Sequence, residues 1–185
     1  EGPILVLAGP GSGKTTVLTE RVRALTEEGV VSPGNILVIT FTRAAAREMQ
    51  LRFERLMGGK KLPVTFGTFH SVFFRILKLA YGYQAKDIVR EEQRVQFLKE
   101  LTEQEEIETE DEADFISSVL GEISAVKGEM MDLSCYYSKN CPEEVFKKLY
   151  RGYEERLRAL GLIDFDDMLV MCWELFTQRK DILSA

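Results

Sequence analysis

Ile4-Leu5-Val6-Leu7-Ala8-Gly9-Pro10-Gly11-Ser12-Gly13-Lys14-Thr15-Thr16 is the stretch that decides the fold. Four apolar residues run straight into a glycine-rich loop that ends in Gly-Lys-Thr. That is the strand, loop and helix start of a P-loop. Backbone N–H groups from Gly9 to Gly13 can wrap a phosphate only where side chains stay clear and φ is free. Lys14 then reaches the β- and γ-phosphates, and the Thr15 hydroxyl is placed for Mg²⁺. A helix from Thr16 to about Leu25 aims its positive end at the anion. The strict pattern opens on Gly where this chain has Ala8. The motif points to a nucleoside triphosphate with Mg²⁺ and says nothing of what the energy drives.

Working outward, Asn35-Ile36-Leu37-Val38-Ile39-Thr40-Phe41 reads as a second strand after the turn Ser32-Pro33-Gly34. Thr42 stands where an N-cap belongs. Arg43 to about Met57 reads as a helix, with Ala45, Met49, Phe53 and Leu56 at spacings of three and four, stopped by Gly58-Gly59. Pro63-Val64-Thr65-Phe66-Gly67 is a short third strand, and His70 to Tyr81 is helical again. This alternation predicts an α/β fold with a parallel sheet.

From about Gly82 the texture changes to helices: 91–102, 113–131 and 142–160, then a strongly apolar one from Met168 to about Gln178. Leu169, Val170, Trp173, Leu175 and Phe176 read as core packing in that last helix. The acidic stretch 103–112 reads most simply as a solvated loop or helix end. Asp164, Asp166 and Asp167 look like a carboxylate cluster, but an Asp N-cap followed by first-turn acids accounts for them, and no catalysis is assigned there. Three visible strands make an incomplete sheet.

Composition narrows the classes. The chain has 185 residues and 45% hydrophobic content, ample for a core. No apolar run approaches the roughly 18 residues of a membrane span. Three cysteines without metal-type spacing and a single His argue against a zinc site and for a reducing, cytoplasmic setting. The net charge of −6 hides an asymmetry: residues 1–80 carry 11 Lys/Arg against 6 Asp/Glu, and the remainder is acidic. A basic first part is compatible with a phosphate-tracking groove.

Four blocks in order resemble the N-terminal part of superfamily 1 helicases of the UvrD/PcrA/Rep type. They are Ala8–Thr15, Thr40-Phe41-Thr42-Arg43-Ala44-Ala45-Ala46-Arg47-Glu48-Met49, Gly67-Thr68-Phe69-His70-Ser71, and Asp164-Phe165-Asp166-Asp167-Met168-Leu169. The resemblance covers essentially the whole chain, and the family usually has Ala at the Ala8 place. It implies a RecA-like parallel-sheet domain over 1–80 and 162–185, incomplete here, interrupted by an all-α insertion over 81–161. It implies ATP and Mg²⁺ as cofactors, with Lys14 and Thr15 at the chemistry and Ala8 to Thr16 around the nucleotide. The partners implied are single-stranded DNA, junctions of single and double strands, and the rest of a longer polypeptide, with no membrane. The activity implied is 3′-to-5′ translocation and duplex unwinding in DNA repair or replication.

Two blocks carry the nucleic-acid expectation. Phe41, Thr42 and Arg43 follow a strand at the end where open α/β sheets place ligands. Taken alone they read as a core Phe and a helix cap; the resemblance turns them, with Thr68, Phe69 and His70, into contacts along the single-strand track. Family members have Asn-Lys after the Thr, where this chain has Arg43-Ala44. The metal-holding acidic pair, the general base and the arginines that stabilise phosphoryl transfer have no counterpart here, so the chain alone is expected to lack useful ATPase activity. The motor of an AddA/RecB-type helicase-nuclease stands as an alternative, and more distantly a P-loop kinase or small NTPase with a helical lid.

Overall fold

The computed structural model describes residues 2–179, and they form two compact units that divide after Val72. Most described residues are helical, and the sheet is small.

In the first unit, α1 (Lys14–Glu27) follows the glycine loop, β1 (Leu37–Thr40) leads through α2 (Arg43–Leu56) to β2 (Thr65–Thr68), and α3 (Phe69–Tyr81) begins at once. β1 and β2 pair in parallel with Leu37 opposite Thr65 and Thr40 opposite Thr68. A parallel pair needs a crossover, which α2 supplies. Val22, Ile36, Val38, Phe53 and Val64 form the core, with Phe66 packed against the Phe53 ring at 5.7 Å between centroids. Thr42 accepts a 3.1 Å bond from the Ala45 N–H and starts α2. Gly59 at φ 81° stops it, donating to Glu54 O at 2.8 Å. A side chain at such a φ would be strained.

The expected strand Ile4–Leu7 does not form. These residues are 68–87% exposed and outside the two-stranded sheet. A continuous apolar run becomes a strand when neighbours take its hydrogen bonds and cover both faces, and no described residue does either.

In the second unit, α4 (Glu91–Gln104), α5 (Glu112–Gly128) and α6 (Glu143–Leu160) enclose a core centred on Leu98, Val119, Ile123, Phe146, Leu149 and Tyr153. The spacing of Phe146, Leu149, Tyr153 and Leu157 gives α6 one apolar face. Gly161 at φ 64° ends α6, and Leu162 N–H returns to Leu157 O at 2.9 Å. The acidic stretch is a helix end and loop, and Asp111 caps α5. α7 (Phe165–Gln178) shares a second core with Leu77, through Met168 and Cys172. Burial pushes the Cys172 thiol up to about 11, so it is an inert packing group.

Two features depart from expectation. Trp173 is 53% exposed rather than core, because α7 turns Met168, Cys172 and Leu175 inward and leaves position 173 on the other side. Ile88 and Ile163 form a parallel bridge, with Val89 N–H donating to Ile163 O at 2.9 Å and Ile163 N–H to Asp87 O at 2.8 Å. Among the described residues no helix is long and apolar enough to cross a membrane.

Candidate functional site

The loop from Ala8 to Gly13 bends through two left-handed glycines, Gly11 at φ 72° and Gly13 at φ 78°. Gly13 is the residue before α1, and it offers no side-chain cap; the first turn of α1 holds no acid. The first N–H groups of a helix need a partner. This one presents them at the mouth of a glycine loop, which suits an anion. Lys14 lies over the loop, donating to Gly9 O at 2.5 Å and Ala8 O at 3.2 Å. Ser12 Oγ donates to Gly9 O at 2.7 Å. An ammonium held by neutral carbonyls gains more from anionic phosphate oxygens. Beside the loop lies a cavity of about 440 Å³, lined by Ser12, Lys14, Thr15 and Arg21 together with Val6, Val17, Leu18 and Met49. The loop thus fits a polyphosphate, with Thr15 half-buried at its edge.

The second cluster stands on the carboxyl ends of β1 and β2. Their register places Thr40 beside Thr68, so the residues that follow, Phe41 and Phe69, meet. The rings lie 5.6 Å apart between centroids at 43°. Phe41 is 89% exposed and Phe69 38%. A core role for Phe41 is thereby excluded. Thr42 caps α2, Arg43 is exposed on its first turn, and His70 is half-buried in the first turn of α3. Thr68 is buried: Ser71 N–H donates to its Oγ1 at 3.2 Å, and Ser71 Oγ accepts from Thr68 N–H at 2.9 Å. That reciprocal pair fixes the turn from which Phe69 projects. Gly67 is needed there, because a Cβ would meet Ser71 Oγ at 2.8 Å.

One residue that sequence reasoning did not single out ties α1 to α2. Arg52 Nη1 donates to Thr16 Oγ1 at 2.7 Å, and Nη2 pairs with Glu48 at 3.3 Å. The only local signal was the Glu48–Arg52 spacing of four residues.

The description "UvrD/REP helicase N-terminal domain" matches residues 1–185. The chain belongs to that family. It is 35% identical to "Putative ATP-dependent DNA helicase YjcD" of Bacillus subtilis (strain 168), over 99% of this chain and 25% of that protein. It is 34% identical to "ATP-dependent DNA helicase PcrA" of Staphylococcus aureus (strain Mu50), over 99% of this chain and 26% of that one. The chain therefore spans about a quarter of the length of the relatives it matches.

In this member of the UvrD/REP helicase N-terminal domain family, the carboxylate block is a fastener. Asp164 caps α7 by accepting from Asp167 N–H at 2.8 Å, and Asp167 returns an oxygen to Asp164 N–H at 3.0 Å. Glu154, Asp164 and Asp167 converge closely enough to hold a cation, and the Lys127 ammonium fills their centre, at 2.8, 2.8 and 2.6 Å. Lys127 and Asp164 are almost wholly buried, and Tyr153 OH donates to Asp164 at 3.2 Å. Burial disfavours the charge on Lys127, but Asp164, Asp167 and Glu154 outweigh it and hold the ammonium above the ordinary lysine range. Burial likewise opposes the Asp164 charge, and Lys127 outweighs it, holding that carboxyl low.

Proposed function

We propose that the chain is the N-terminal motor portion of an ATP-dependent DNA helicase, which moves 3′ to 5′ on single-stranded DNA and separates duplex ahead of it. Residues 1–80 and 162–185 would contribute a RecA-like nucleotide-binding domain, and 81–161 a helical insertion. The two compact units divide elsewhere, after Val72, because α7 shares a core with Leu77. Family membership and the printed names of the relatives support the reading. The observation that carries it is the exposed pair Phe41 and Phe69, seated on adjacent parallel strand ends in the same unit as the glycine loop.

In this reading Gly9 to Gly13 cradle the phosphates through their N–H groups, Lys14 holds the β- and γ-phosphates, and Thr15 holds the Mg²⁺. Ala8 and Thr16 complete the loop. The bound ATP supplies the free energy of phosphoryl transfer to water. Phe41 and Phe69 present ring faces to bases, and stacking of this kind is worth about 1–3 kcal/mol per base without regard to sequence. Thr42 and Arg43 at the start of α2 and His70 at the start of α3 would follow the phosphate backbone. Thr68, expected to join them, is buried in its bonds to Ser71 and would instead set the turn that presents Phe69. Aromatic faces for bases beside polar and cationic groups for phosphates make a single-strand track, which a kinase has no use for.

The test is ATP hydrolysis by the intact protein with and without single-stranded oligonucleotides, together with strand separation of a duplex bearing a 3′ single-stranded tail. The reading expects hydrolysis that rises with single-stranded DNA and unwinding that needs the tail. Hydrolysis indifferent to DNA would overturn it.

A further inference from the structure

The bond between Arg52 and Thr16 is the feature that the reading above leaves unused. Thr16 lies in the first turn of α1, directly after Lys14 and Thr15. Arg52 lies on α2, nine positions beyond Arg43. At about 1.5 Å per residue, that is ~14 Å along a rigid helix whose other end carries Thr42 and Arg43. One hydrogen bond of 2.7 Å therefore joins the helix that begins at the nucleotide loop to the helix that begins at the expected DNA contacts. Both lie in the same unit.

The electrostatics give the bond a direction. A helix start carries partial positive charge and favours anions. Here it has no acid in its first turn and no side-chain cap. Two cations gather there instead: Lys14 over the loop, and the Arg52 guanidinium on Thr16. Glu48 holds the far side of that guanidinium at 3.3 Å, which fixes its orientation without bringing a carboxylate to the helix start. Both cations lie where a polyphosphate at the loop would attract them. A change in charge at the loop reaches Arg52 through Thr16, and Arg52 stands on α2.

We infer that Arg52, through its hydrogen bond to Thr16, is a positioning residue that transmits nucleotide occupancy along α2 to the DNA-contacting end at Thr42 and Arg43. The inference rests on the motor reading proposed above. Arg52 touches neither reacting phosphate nor DNA in this account. It sets how strongly one site responds to the other, a coupling that is reciprocal between the two ligands.

The experiment uses the intact protein, wild type and carrying Arg52→Ala, Arg52→Lys, Thr16→Val, and Arg52→Ala with Thr16→Val. A fluorescent non-hydrolysable ATP analogue is titrated with and without a single-stranded oligonucleotide, and the ratio of the two affinities is the coupling. Arg52→Ala is expected to reduce that ratio about fivefold or more, with the melting temperature close to wild type. Thr16→Val, judged on the ratio alone because Thr16 borders the nucleotide, is expected to lose as much of it, the double variant to be no worse than either single one, and Arg52→Lys to restore part of the ratio. An Arg52→Ala protein with wild-type coupling overturns the inference. So does a loss that merely tracks a fall in melting temperature, or a double variant whose losses add. A wild-type protein whose hydrolysis ignores DNA overturns the motor reading, and this inference with it; a DNA-responsive wild type with an unaltered Arg52→Ala overturns this inference alone.

Discussion

Lys127 Nζ lies 2.8 Å from Asp164 Oδ2, with both side chains almost wholly buried and 37 positions apart in the chain. Breaking a buried pair leaves an uncompensated charge and costs about 3–5 kcal/mol. Lys127→Met is expected to lower stability by about that much. Urea denaturation followed through Trp173, the one tryptophan in the chain, measures it. A loss below about 1 kcal/mol would show that Lys127 fastens nothing.

Asp167 makes the same cluster sensitive to pH. Burial, reinforced by the charge of Asp164, pushes its carboxyl up to about 6. In the unfolded chain that proton leaves near pH 4. Between those values the folded state binds more protons than the unfolded one, so this group's contribution to stability falls as pH rises from about 4 to 6. Asp164 runs the other way: its carboxyl is held low, so its contribution is in place above about pH 4 and is lost as pH falls further. Asp167→Asn is expected to remove the decline between pH 4 and 6. Urea midpoints collected across that window for both proteins provide the check, and parallel curves would count against it.

Gly67 is a steric prediction. An added methyl would stand 2.8 Å from Ser71 Oγ and 3.3 Å from Val72 Cγ2. Ser71 is not free to yield, since it is bonded to Thr68 N–H, O and Oγ1. Gly67→Ala is expected to cost about 1–3 kcal/mol and to weaken binding of single-stranded DNA by displacing Phe69. Ser71→Ala, which loses the hydroxyl's bonds without the clash, is expected to show a smaller loss in the same direction. Full stability in Gly67→Ala would mean the turn is looser than its bonds imply.

Phe41→Ala is expected to weaken binding of a single-stranded oligonucleotide roughly 5- to 150-fold, the equivalent of about 1–3 kcal/mol. Nucleotide affinity should stay the same. Anisotropy titrations of the intact protein separate the two. Because Phe41 is so exposed, its removal costs little stability, and an unchanged DNA affinity would remove Phe41 from the track.

Lys14→Ala is expected to abolish ATP hydrolysis by the intact protein while leaving DNA binding in place. A steady-state phosphate-release assay alongside an oligonucleotide titration reads both. Retained turnover would refute its role at the phosphates.

What the sequence disclosed was whatever neighbouring residues determine. The glycine loop, the cap at Thr42, the stop at Gly58-Gly59 and the helical spacing of α6 are local, and all were legible. Ile4–Leu7 was not, because strand formation depends on neighbours that the run itself does not encode. The exposure of Trp173 is hidden for a related reason: a helix apolar on most of its faces does not announce which face turns inward. Lys127 left only a faint trace, a lone cation late in the apolar run of α5, since its partners sit on α6 and at the start of α7. Arg52 was hidden likewise, its partner being 36 positions away.

The bridge between Ile88 and Ile163 closes the neck of a long excursion. Everything between those two residues leaves and re-enters through one gate, held by backbone bonds that no side chain specifies. A segment anchored in that way can be lengthened, shortened or exchanged without moving its points of departure and return, and each doubling of its length adds only about 0.6 kcal/mol of closure cost. The neck is therefore the natural splice point, for evolution or for an experimenter, provided that a transplanted cassette of α4 to α6 keeps Lys127 and Tyr153 for Asp164 and Asp167 beyond it.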